Sequence, residues 1–407
     1  MTWTHTLAPT GSKFTMLPNG WDDAWVAAKL ASRLTPAWIT LTADSVGYGM
    51  DATSTLANTI PDKIKAGILA RGFPLYADYW SSVYNSTLWA AISLRVPTPT
   101  DFPFTLGANG GPTVGNRMGY GYQVIFSATG SPAGGFMSFT PPYNPSQIDV
   151  ITMDVFAAAA THQYNIDGGA PSTFTPGALD RQRRIVFAAL TNASHTINWT
   201  QQTSAFTMQV AGAVAYPFPL PTTGIGFARN AWPGGSMADI GTQQSNSGLP
   251  VDKIGKLYTN QKFDGSQGFG MPMGAALNII MLGENDANTP NVNAGPDVYR
   301  RHLYRLITAL RLGYPNCSIL LVASSIPDVT LSDFTSYGAA QNPENWFQYR
   351  QAMADTAEDL TCGFIDMQMK PNWSPSPVAA GLMINDGDPH PTNLGQADIA
   401  NTILAAI

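Results

Sequence analysis

Charge is scarce in this chain. Asp, Glu, Lys and Arg together make up 12% of its 407 residues, about half the roughly 25% usual in soluble domains. Acids outnumber bases, for a net charge of -6 and a pI near 5.3, which excludes the broad basic surface of a nucleic-acid binder. The one basic run, RQRR from Arg181, reads as a solvated strand edge or turn. Long apolar runs are also missing. None approaches the roughly 20 residues that span a bilayer, and the start, MTWTHTLAPTGSKF, lacks the charged-then-apolar layout of a signal peptide. Cysteine is nearly absent. Cys317 and Cys362 each stand before or at the start of an expected strand, where two unreactive buried thiols are favoured over a disulfide. No Cys/His cluster has zinc spacing and no acidic loop resembles a calcium site, so no metal or other cofactor is expected.

What fills the gap is Gly, Pro, Asn, Ser and Thr, which predicts a neutral, polar, loop-rich surface. Poverty in Lys and Glu without a signal peptide fits an extracellular or virion protein, such as a phage tail component released by lysis. The length is enough for a large core and two domains. Residues 21–34 place Trp25, Val26, Leu30 and Leu34 at helical spacing, with acids in the first turn. The strand WITLT follows, then TIPDKIKAGILARG, a helix with Ile60, Ile64 and Ile68 on one face and Gly72 as a stop. From about 85 to 222 helical periodicity fades and Gly/Pro turns separate short strand-like runs, the pattern of a β-sandwich. Strand–helix alternation then resumes, with AALNIIMLG, SILLVASS and CGFIDM as strands and the chain closing on a helix, TNLGQADIANTILAAI. The expected architecture is therefore α/β: a three-layer, parallel-sheet domain made of 1–84 and 223–407, interrupted by an all-β sandwich over 85–222.

Three strand ends carry polar residues suited to acyl transfer. LTADSVGYG offers Ser45 after a buried-strand pattern, with Gly47 and Gly49 permitting a tight turn. IIMLGENDA offers Asn285, whose amide is a candidate oxyanion donor. NDGDPHPTNLGQ offers His390, with Asp386 and Asp388 near enough in sequence to orient its ring. Between them, NAWPGGSMADI puts Gly235 between a strand and a helix, where its N–H is a second donor candidate. Each segment alone has a plainer reading. Asp44 and Ser45 also suit a cap or turn, Asn285 an Asx turn, and a Gly-Gly pair a flexible loop. His5, His162, His195 and His302 have no such setting and read as structural.

Taken in order, ADSVG, NAWPGG, GEND and DGDPHP resemble the four blocks of the SGNH (GDSL-type) hydrolase superfamily. The resemblance covers only the α/β portion, roughly residues 20–84 and 223–407. It implies Ser45 as nucleophile and first oxyanion donor, Gly235 and Asn285 as the other donors, and His390 as general base. Two positions depart from the pattern. Ala43 stands where the family has glycine, and Gly387 stands three residues before the histidine, where the family has its acid. The orienting acid is then Asp386 or Asp388, with Asp386 slightly favoured.

The implied activity is serine esterase chemistry through an acyl-enzyme, on an acylated cell-envelope polysaccharide or lipid. Trp199, Tyr164 and Tyr120 in the β segment are sugar-stacking candidates, with core packing favoured for them. Other virion tail proteins are expected partners; nucleic acid and a membrane span are not. Two other readings stay open: an acyltransferase of the same fold, and a structural or adhesin tail protein with a vestigial site.

Overall fold

The computed structural model describes residues 15–81, 101–106, 124–125, 135–154, 162–174, 181–201, 208–231, 236–237, 275–288, 295–325, 343–373, 377–384 and 390–407. Its frame is one large sheet. In chain order the strands are β1 (Thr15–Met16), β2 (Ala37–Ala43), β3 (Leu75–Ser81), β4 (Phe104–Leu106), β5 (Val124–Ile125), β6 (Gly135–Phe139), β7 (Pro145–Asp154), β8 (His162–Ile166), β9 (Ser172–Phe174), β10 (Arg181–Phe187), β11 (Ile197–Gln201), β12 (Met208–Pro217), β13 (Ile225–Ala231), β14 (Leu277–Met281), β15 (Ser318–Ala323) and β16 (Gly363–Asp366). The helices are α1 (Asp23–Ala31), α2 (Ser45–Tyr48), α3 (Ile60–Ala70), α4 (Glu284–Asn288), α5 (Pro296–Gly313), α6 (Pro343–Asp359) and α7 (Asn393–Ala406).

The large sheet runs β1-β16-β15-β14-β2-β13-β3-β12-β7-β10. The six central strands, β16 through β3, are parallel to one another. Every residue of β2, β13, β14, β15 and β16 is buried. A strand buried on both sides requires cover on both faces of the sheet, which is the three-layer α/β arrangement. Helices α3 and α7 pack on each other, as do α5 and α6.

Between residues 104 and 217 the strands divide. β12 pairs antiparallel with β3, and β7 and β10 follow it, so these three continue the large sheet outward, while β5 pairs with β12 off that path. β4, β6, β11, β8 and β9 form a separate antiparallel sheet. Phe187 on β10 meets Tyr164 and Trp199 of that second sheet edge-on, with ring centroids 5.1 and 6.1 Å apart. The RQRR run opens β10, the end strand of the large sheet's order, and Arg184 pairs there with Asp149.

A buried ion cluster fixes α3 to the sheet. Arg229 on β13 is fully buried and donates to Asp62 of α3 at 2.6 Å and to Asp78 of β3. Lys65 reaches both acids, at 3.1 and 2.8 Å. The guanidinium also lies 3.7 Å from the Trp80 ring centroid, a cation–π contact. Burial works to raise Asp62, yet Arg229 and Lys65 hold it below the ordinary carboxylate range.

Helix α3 buries Ile60, Ile64 and Ile68 as the periodicity predicts. Helix α1 does not bury its predicted stripe. Trp25 is buried, but Val26, Leu30 and Leu34 are 39%, 71% and 81% exposed. Trp25 donates its backbone N–H to Ser318 Oγ at 2.9 Å and its indole N–H to the Ile407 carbonyl at 3.2 Å. The helix ends at Ala31, and the stripe it turns to the core is Trp21, Trp25 and Ala28, one step round from the predicted one.

Candidate active site

Ala43, Met281 and Ala231, the last residues of β2, β14 and β13, lie side by side in register. Three of the four sequence blocks thus leave the sheet at one place, the C-terminal ends of adjacent parallel strands, where α/β proteins form their binding crevices.

Ser45 is the first residue of the one-turn helix α2 and only 6% exposed. Asp44 caps that helix, its Oδ1 accepting the Val46 N–H at 3.0 Å. Gly49 ends it in the left-handed region at φ +88°, where a Cβ would stand 2.3 Å from Thr59 Cγ2. At Gly47 a Cβ would meet the Ala43 Cβ at 2.2 Å. Ala43 is therefore accommodated because residue 47 has no side chain.

The structure brings His390 to this serine from 345 residues away: its Nε2 is 3.0 Å from Ser45 Oγ. The loop carrying it is closed by the Met383–Pro391 bridge and by Thr392, which caps α7 through the Gly395 N–H at 3.2 Å. One turn on, buried Gln396 accepts the Ile60 N–H at 3.1 Å and donates to the Val46 carbonyl at 3.3 Å. It thereby ties α7, the helix that follows His390, to both α2 and the start of α3.

Asn285 is half-buried in the first turn of α4. Its surroundings are braced on three sides. Tyr299 donates to the Leu282 carbonyl at 2.8 Å, Ser324 to Glu284 at 3.1 Å, and the Met237 N–H to Asp286 at 2.7 Å. The last bond links the loop of the third block to the segment just after Gly235. Gly235, Asp386 and Asp388 themselves lie outside the described residues. So do Tyr120 and His5.

Asp44 is fully enclosed, and burial raises its pKa to about 7. The Val46 N–H and His390 oppose that rise and Asp286 adds to it. A second carboxylate, Asp51, is also buried, and its Oδ2 lies 3.9 Å from His390 Nδ1. Sequence reasoning missed Asp51, Asp286 and Gln396. Only Gln396 left a usable signal, a polar residue in line with the buried positions of a mostly apolar C-terminal helix.

Other expected roles resolve as packing. Trp199 is fully buried against Tyr164, centroids 5.4 Å apart, and is unavailable to stack on a sugar. His195 is held in a turn by Asp167 at 2.6 Å, and His302 is buried on α5. Cys317 and Cys362 are free and buried, and burial pushes both thiols up to about 11, so they stay protonated. Among the described residues no His/Cys/Asp/Glu group is placed to hold a metal ion, and no helix is long and apolar enough to cross a membrane.

No protein-family model matches the chain. No curated protein matches it either. Among solved structures it is similar to a peptidoglycan O-acetylesterase, at 15% identity over 95% of this chain and 94% of that one, with a TM-score of 0.62. That likeness shows a shared fold. A carbohydrate esterase family 2 enzyme with a carbohydrate-binding domain, from Corynascus thermopiles (Myceliophthora fergusii), matches at 18% identity over 69% of this chain and 95% of its own, with a TM-score of 0.30. A GDSL-like lipase from Parabacteroides merdae matches at 16% over 45% and 72%, also at 0.30. At that level of overlap neither bears on the fold of this chain.

Proposed function

We propose that this protein is a serine esterase of the SGNH type that removes an acyl group, most simply acetyl, from an envelope polysaccharide. The observation that carries the reading is the 3.0 Å contact between Ser45 Oγ and His390 Nε2. A hydroxyl is a poor nucleophile until a base takes its proton, and hydrogen-bond reach is the first requirement for that base.

In the proposed cycle His390 accepts the Ser45 proton as Oγ bonds to the ester carbonyl carbon. The resulting oxyanion is held by the backbone N–H groups of Ser45 and Gly235 and by the Asn285 amide. The carbonyl re-forms, the C–O bond to the alcohol breaks, and His390 gives its proton to the leaving oxygen. A water then repeats the sequence on the acyl-enzyme, releasing the free acid and restoring Ser45. Asp386 or Asp388 would orient the imidazole from its own loop. No cofactor enters the cycle.

The choice of substrate rests on the shared fold with a peptidoglycan O-acetylesterase. A location on a phage particle, where envelope trimming would aid attachment, rests on composition alone. The Ser45–His390 contact favours an active enzyme over a tail protein with a vestigial site.

The test is hydrolysis of p-nitrophenyl acetate and butyrate, then acetate release from O-acetylated peptidoglycan, by the wild type and Ser45→Ala. The proposal requires turnover that disappears in the variant. Equal turnover in both would refute it.

A further inference from the structure

The far nitrogen of the His390 ring faces a carboxylate that no motif announces. Asp51 follows Ser45 by six residues, on the loop that leaves the nucleophile's helix. Its side chain is 3% exposed, and its Oδ2 is 3.9 Å from His390 Nδ1, while Nε2 of the same ring meets Ser45. Serine, imidazole and carboxylate thus stand in sequence across one ring, with serine and acid supplied by the same loop.

The backbone is built to put the acid there. Asp51 is in the left-handed region at φ +66°, a conformation rare for residues with a side chain but accessible to Asp and Asn. The loop beyond it is clamped from two directions. Thr53 donates its N–H to Asn393 Oδ1 at 3.1 Å and accepts from Asn393 Nδ2 at 2.8 Å, which locks it to the first residue of α7. The Thr55 and Leu56 N–H groups each donate to Asp101 at 3.0 Å. The Asp51-to-His390 spacing is therefore set by fixed contacts on both sides.

We propose that Asp51 is a positioning residue for His390, a carboxylate on the nucleophile's own loop that balances the imidazolium formed when the ring takes the serine proton. This rests on the esterase reading. At 3.9 Å the contact is too long for a hydrogen bond, so it acts chiefly through charge. A neutral ring gains little from it and a protonated ring gains much, so the benefit falls on the transition state rather than on substrate binding. The charged groups facing His390 among the described residues are Asp51 and Asp44; Asp386 and Asp388 precede it in the chain. The role differs from that of Asp386 or Asp388, which would approach from the histidine's loop.

The experiment compares the wild type with Asp51→Asn and Asp51→Gly, both suited to a positive φ, and with Asp386→Asn and Asp388→Asn. Readouts are the pH profile of kcat and kcat/KM on p-nitrophenyl acetate, and the pH-dependent rate of inactivation by a fluorophosphonate. Asp51→Asn is expected to lower kcat by about 10- to 100-fold at nearly constant KM and to move the acid limb of kcat/KM to lower pH. Asp51→Gly should behave alike and recover part of its rate in added formate, which a merely structural role would not produce. Wild-type kcat and an unmoved acid limb in both variants would overturn the proposal. So would losses that neither shift that limb nor respond to formate. A wild type inert to ester and fluorophosphonate alike would instead sink the esterase reading itself.

Discussion

Asp44 and Asp286 are buried acids that hold backbone: one caps the serine's helix, the other holds the Met237 N–H. For Asp44 this has a measurable cost. Its folded pKa, about 7, lies above the ordinary carboxylate value, so the native state holds a proton that the unfolded chain has lost between about pH 4 and pH 7. Its contribution to stability is fully present below pH 4 and is lost as pH rises through 7. Asp44→Asn keeps the capping oxygen and removes the titration. The difference in Tm, variant minus wild type, should grow from pH 4 to pH 7 and then level off; a difference independent of pH would contradict the assignment. Asn285→Ala should reduce kcat by about 10²–10³-fold with a small change in KM, as for the loss of one oxyanion donor, measured by steady-state kinetics. Ser45 and His390, which the structure brings to 3.0 Å of each other, stood out in the sequence because each follows a recognisable strand or loop pattern, as Asn285 does. Asp51 was not, because only a left-handed turn and the Asn393 clamp carry it to the ring.

Two side chains connect elements that the sequence treats as separate. Gln396 joins α7 to α2 and α3 through two buried hydrogen bonds. Gln396→Leu would leave the Ile60 N–H and the Val46 carbonyl without those partners, at about 1–3 kcal/mol for each buried group so exposed. The expected outcome is a lower urea midpoint together with a reduced kcat, since His390 then loses its fixed offset from Ser45. Arg229→Met would leave Asp62 and Asp78 with Lys65 as the cation between them and should cost about 3–5 kcal/mol in urea unfolding. Helix α3 was readable because apolar periodicity decides its orientation. Helix α1 was misread because two apolar stripes share Trp25, and the one that packs, Trp21, Trp25 and Ala28, is the one whose tryptophan also bonds Ser318 and the Ile407 carbonyl.

At the scale of the whole molecule, the parallel core was legible from the alternation of apolar strands and amphipathic helices. The fate of the β-rich segment was not, because short strands of similar composition do not say which sheet they join. Four of them, β5, β7, β10 and β12, join the large sheet, through β12 on β3, and five others form the second sheet. The site lies at the C-terminal ends of central strands of that sheet, so its geometry depends on contacts from residue 44 to residue 396. The central claim is that Ser45 is a nucleophile activated by His390. It is tested most directly by treating the folded protein with a fluorophosphonate and mapping the adduct by peptide mass spectrometry. The account predicts a single phosphonylated residue, Ser45, in the wild type and none in His390→Ala. No adduct on Ser45, or an adduct that forms as fast without His390, would contradict it.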